Sequence, residues 1–186
     1  MRTQIQRLTL AATVAVACAT APAAFAADNP MVGGVPMYAN KTIVENASTA
    51  QNLSTLVTAV KAAGLVDTLS GKGPFTVFAP DNQAFAKLPA GTVDTLLKPE
   101  NKGQLASVLT YHVVPGRITA ADIAAKAKKN GGVASYATAQ GGMLKFKKMG
   151  AGWAVMDDKG DTGMITIANV MQSNGVIHVI DTVMLP

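Results

Sequence analysis

Residues 165–173 read ITIANVMQS, Asn174-Gly175 follow, and residues 176–186 read VIHVIDTVMLP. Two apolar, β-rich runs flank a dipeptide whose members both tolerate positive φ. That is the pattern of a β-hairpin closed by a type I′ turn. Two-residue alternation places His178 on the face of Val176 and Ile180. Three further runs of the same kind precede the pair: VASYATA (133–139), MLKFKKM (143–149) and GWAVMD (152–157). Gly141-Gly142, Gly150 and the segment 157–160 separate them, so the second half of the chain reads as strands.

The first half reads differently. Leu53, Leu56, Val57 and Val60 recur at helical spacing, with Asn52 or Ser54 as the cap and Gly64 as the stop. Thr42 suits the N-cap of a shorter helix running to Ala50. FTVFA (75–79), bounded by Gly73-Pro74 and Pro80, is a buried strand pattern, and Asp81 then caps a helix whose Phe85 and Leu88 face inward. Helices are also expected over 92–98, over 100–112 with Pro99 at the first position, and over 118–129. Helices first and strands second point to an α+β domain.

The ends set the compartment. Arg2 and Arg7 precede an apolar run over 8–19, and Ala24-Phe25-Ala26 fits a signal cleavage site with Ala27 as the mature N-terminus. The run is shorter than the roughly 20 residues that span a bilayer. An exported, soluble protein without a transmembrane segment is therefore expected, periplasmic or extracellular. Lipidation at Cys18 is the alternative, disfavoured by Ala15 and by the competing Ala-x-Ala site. Cleavage after Ala26 removes the single cysteine, and with it any disulfide or thiolate chemistry. It also removes two of the +5 charges, leaving +3, which is no nucleic-acid footprint. Residues 27–40, with two prolines, two glycines and no periodicity, read as a flexible arm. Residues 41–186 read as one domain.

Little in the chain points to catalysis. There is no Gly-x-Ser-x-Gly elbow and no phosphate-cradling glycine loop before a helix. The two histidines, His112 and His178, lack the companion ligands of a zinc site. Asp157, Asp158 and Asp161 are too few for a calcium loop and fit a turn around Lys159-Gly160. No cofactor and no metal are expected. Lys145 and Lys147 alternate with Leu144 and Phe146, so they line an exposed strand face. Eight methionines remain after the initiator, without a metal-binding spacing, and read as core filling.

Three stretches carry a family resemblance. FTVFAPDNQAFAKLP (75–89) resembles the first signature box of fasciclin adhesion domains, Tyr111-His112 the family's tyrosine-histidine motif, and NGVIHVIDTVMLP (174–186) the second box. The chain is most similar to the small, secreted, single-domain bacterial type. The resemblance implies a wedge-shaped β-sandwich with an N-terminal group of helices. It makes Phe75, Phe78, Asp81, Phe85, Asn174, Gly175 and His178 structural motif residues. It also implies adhesion without catalysis, through a surface or matrix protein, a glycan or a cell surface. Candidate interaction residues are Tyr111, His112, Asn169 and Val170. The last two stand where integrin-binding relatives carry an Asp-Ile pair, so the receptor-reaching carboxylate is missing. The second reading is a carrier of an apolar small molecule, a lipid or pigment, held between helices and sheet. A monomer or weak oligomer suits either.

Overall fold

Residues 29–186 are described in the structure, a computed structural model. The expected signal segment, the Ala26–Ala27 junction and Cys18 lie outside the described residues. The described part of the arm differs from the flexible segment its composition suggests. β1 (Met31–Val32) and β2 (Val35–Pro36) form an antiparallel hairpin, and Val32 and Met37 are each 1% exposed. Asn46 holds the hairpin down. Its Oδ1 accepts from the Tyr38 N–H at 3.1 Å, and its Nδ2 donates to the Tyr38 carbonyl at 2.7 Å and to the buried Gln172 side chain.

The helices follow their local signals in part. α1 (Ile43–Ala47) begins in a capping box between Thr42 and Glu45 and ends three residues short of Ala50. α2 (Ser54–Ala63) is capped by neither Asn52 nor Ser54; the Asn82 side chain, 27 residues away in sequence, accepts from the Thr55 N–H at 3.1 Å. α3 (Val66–Ser70) is a single short turn with no strong sequence signal. After β3 (Phe75–Pro80), Asp81 caps α4 (Asn82–Ala86), accepting from the Ala84 N–H at 2.7 Å. α5 (Thr92–Leu97) and α6 (Lys102–Tyr111) lead to β4 (Val113–Pro115). α7 (Ala120–Lys129) starts in a second capping box, Thr119 with Asp122. The remaining strands are β5 (Val133–Ala137), β6 (Met143–Met149), β7 (Gly152–Met156), β8 (Thr162–Gln172) and β9 (Gly175–Ile180).

One sheet of order β4-β3-β9-β8-β7-β6-β5 runs through the domain. β3 and β9 pair in parallel, from Phe75 opposite Gly175 to Pro80 opposite Ile180; the other neighbours are antiparallel. All of β9 is buried, because both of its faces are covered. Val77, Ala79, Ile177 and Val179 face the helices α1, α2, α4 and α6. Phe78 and Ile180 face the opposite way, towards Leu144, Phe146 and Val155 and towards Ile123 and Ala127 of α7. The Phe78 ring lies 4.8 Å from Phe146 and stacks on His178 at 5.3 Å. β8 makes the wedge. Its start pairs with β7 and its remainder with β9, and the register slips between Ile165 and Ile167 and again between Ile167 and Val170. Such bulges bend a strand, so β8 serves both layers of the α+β wedge.

The hairpin between β8 and β9 exists, with a different turn. Gln172 opposes Gly175, so Ser173-Asn174 forms the loop. Neither Asn174 nor Gly175 has positive φ, which rules out type I′ geometry. Gly175 is required by close approach: a Cβ there would lie 1.9 Å from the Phe75 carbonyl oxygen. Asn174 ties three elements, accepting from the Ile43 N–H at 3.0 Å and donating to the carbonyls of Leu69 at 2.8 Å and Gly71 at 3.0 Å.

Candidate functional site

The tyrosine-histidine pair closes α6 from the inside. Tyr111 is 0% exposed and His112 1%. The Tyr111 hydroxyl donates to the Met143 carbonyl at 2.9 Å and accepts from the Asp158 N–H at 3.1 Å. Gly142 leaves room for the ring, since a Cβ there would meet Tyr111 Cε2 at 2.5 Å. Burial pushes the phenol pKa up. On His112, Nδ1 lies 2.8 Å from the Val108 carbonyl, which only accepts, and Nε2 lies 3.0 Å from the Met184 N–H, which only donates. The ring is therefore the neutral Nδ1–H tautomer. Burial holds its pKa down to about 4, against the smaller opposing effects of the Val108 hydrogen bond and the Asp157 charge. The buried Asp157 takes the next tail residue, accepting from the Leu185 N–H at 3.1 Å. Its other oxygen closes the local turn by accepting from Lys159 and Asp161.

A second group sits at the β8 bulge. Asn169 adopts φ 59°, a left-handed conformation that asparagine tolerates better than most residues. Its Oδ1 accepts from the Ala120 N–H at 2.8 Å, so a strand residue caps α7. His178 Nε2 lies 2.9 Å from the Ile118 carbonyl and Nδ1 3.4 Å from the Asn169 N–H. Its pKa is lowered, by burial first. Val170 is 0% exposed opposite Ile177.

The four candidate interaction residues do not form a surface patch. Tyr111, His112 and Val170 are inside, and Asn169 alone is exposed. The turn at Tyr111-His112 is covered by the tail and by the β7–β8 loop. The other motif residues are likewise spent on the fold. Phe78 and Phe85 are buried, Phe75 packs against the helical core, Asp81 caps α4, and His178 joins β9 to the loop before α7.

Two hollows lie elsewhere. An apolar cavity of about 30 Å³ sits under Ile43, Leu56, Val60, Leu69 and Val77, room for about one water. An open cleft of about 500 Å³ lies where the loop before β3, the loop after β4 and the Ser173-Asn174 turn meet. Lys72, Arg117, Ser70 and Ser173 line it, and among the described residues no carboxylate does. Sequence reading passed over Lys72 and Arg117, lone basic residues beside Gly71, Gly73 and Gly116 at strand ends. Of the basic stretches, Lys145 pairs with Asp158 at 3.4 Å and Lys126 lies 3.9 Å from the centre of the Tyr136 ring. Among the described residues no helix is long and apolar enough to cross a membrane, and no group of three histidine, cysteine or acidic side chains is placed to hold a metal ion.

Comparison with known proteins gives consistent results. Protein sll1483 of Synechocystis is 56% identical over 147 residues, covering 78% of this chain and 73% of that protein. The cell surface glycolipoprotein MPB83 of Mycobacterium bovis is 38% identical over 170 residues, covering 88% and 70%. The immunogenic protein MPB70 of the same species is 34% identical over 170 residues, covering 88% and 79%. The solved domain pair of the insect cell adhesion molecule Fasciclin I superposes with a TM-score of 0.68 at 20% identity, over 80% of this chain. The chain spans about half the length of that pair, 51%. The fasciclin domain pattern matches residues 51–186, and the chain belongs to the fasciclin domain family.

Proposed function

We propose that the mature chain is an exported adhesion module that holds a surface protein, a glycan or a cell surface and performs no catalysis. The main support is that the polar side chains of its signature motifs are committed internally. Both ring nitrogens of His112 and of His178 already have partners, so using either as a base would break a fold contact. Binding then belongs to the outer surface. Fasciclin I, the structural relative, is named a cell adhesion molecule. The test is retention of beads coated with mature protein on cells of the producing organism. Retention that soluble protein competes away is expected; retention no better than that of albumin-coated beads contradicts the reading.

Export is proposed with cleavage between Ala26 and Ala27. A relative named a cell surface glycolipoprotein keeps lipidation at Cys18 as the competing route. Intact mass with N-terminal sequencing separates the two.

The apolar cavity favours one other reading, a carrier of a lipid or pigment. At about 30 Å³ it would have to open to admit such a ligand. Native mass spectrometry of protein purified gently from its own cells shows either an added non-covalent mass or the bare chain.

A further inference from the structure

We propose that the cleft between Lys72 and Arg117 binds the acidic sugars of a polyanionic polysaccharide; this rests on the adhesion reading and names its partner. The cleft is concave and about 500 Å³, within the range of small-ligand sites, about 300–1,000 Å³. Its cations come from separate loops, Lys72 before β3 and Arg117 after β4, and neither joins an ion pair among the described residues. Arg117 is steadied by one contact, Nη2 donating to the Gln172 carbonyl at 3.3 Å. A guanidinium so placed takes a carboxylate or sulfate through paired N–H donors, while Lys72 supplies a mobile point charge.

The rest of the lining suits a sugar. Ser70 and Ser173 offer hydroxyls, Gly71 and Gly73 keep the wall free of side chains, and Pro74 presents an apolar ring. Four side chains of the lining, Ser70, Lys72, Arg117 and Ser173, can meet the carboxylate and hydroxyls of a uronate ring, and Pro74 can lie against its apolar face. The floor is rigid, because Asn174 fixes the α3 end, the α1 start and the β8–β9 turn together. A rigid floor lowers the ordering cost of a weak polar ligand.

The experiment titrates the mature protein with alginate, a polyuronate, alongside dextran, a neutral glucan, and vesicles of phosphatidylglycerol. Lys72→Gln/Arg117→Gln is compared with Lys147→Gln/Lys148→Gln, which removes the same charge from β6. Lys72→Gln alone is included because that side chain makes no hydrogen bond among the described residues, so its loss spares the fold. The expected result is alginate binding that salt weakens, no dextran binding, and affinity at least about tenfold lower in the cleft double variant only, as loss of charge-assisted contacts implies. Equal losses in both double variants mean diffuse charge attraction and overturn the proposal. Unchanged alginate binding in the cleft variants overturns it, as does cleft-dependent binding of vesicles without alginate. Bead retention is scored separately: a protein that binds alginate through the cleft yet adheres to no cell refutes the adhesion reading and leaves the site assignment standing.

Discussion

His112 and His178 are neutral because burial costs an imidazolium far more than an imidazole. The sign of the pH effect follows. An unfolded histidine titrates near 6.5 and folded His112 near 4, so between those values the unfolded state binds more protons. The contribution is complete above pH ~6.5 and is lost as pH falls towards 4, with His112 worth about 3 kcal/mol. Glu45, Asp122, Asp158 and Asp181, whose pKa values are lowered, lose their contributions at lower pH still. Melting temperature should therefore fall between pH 7 and 4, and His112→Asn should flatten that fall, which calorimetry across the range checks. Tyr111→Phe keeps the ring and loses two hydrogen bonds, leaving the Met143 carbonyl and Asp158 N–H without their partner. Urea unfolding should show a loss of about 1–3 kcal/mol.

Elements in this fold are joined by residues remote in sequence. Gly175→Ala puts a methyl into the Phe75 carbonyl and forces apart the central parallel pair. The variant should fail to accumulate as folded protein or should melt far below the parent, read by circular dichroism. The helix starts at Thr42 and Asp81 were legible because the capping oxygen sits three residues from the N–H it serves; the same local signal at Thr119 went unread, and that helix was expected earlier in the chain, from 118. The caps supplied by Asn82 to α2, by Asn174 to α1 and by Asn169 to α7 were not, since each comes from another element. The turn was misread for a related reason. Asn-Gly reads locally as turn chemistry, whereas the glycine serves the approach of β3 and the asparagine ties helices.

Across the whole molecule, composition and period separated the helical half from the stranded half, and alternation in FTVFA and VIHVI marked the buried strands. It left the parallel pairing of β3 with β9 unstated, because nothing local encodes a partner about 100 residues away. The arm is the same case. Val32 and Met37 read as isolated apolar residues among glycine and proline, yet both reach the core once Asn46 holds Tyr38. Deleting residues 27–40 should therefore lower the melting temperature measurably; an unchanged melt would mean the hairpin contributes nothing. The candidate site was legible as motif, while its covering was not, since polar residue type does not reveal that α6 ends beneath the C-terminal tail.

The signature residues hold the fold, and the proposed adhesion belongs to the outer surface. The most direct measurement is retention on cells of the parent protein, Tyr111→Phe and Lys72→Gln/Arg117→Gln, at a temperature where all three are folded. Tyr111→Phe should be retained like the parent, and the cleft variant should be lost. Retention abolished by Tyr111→Phe in folded protein, with the cleft variant unaffected, would contradict this reading.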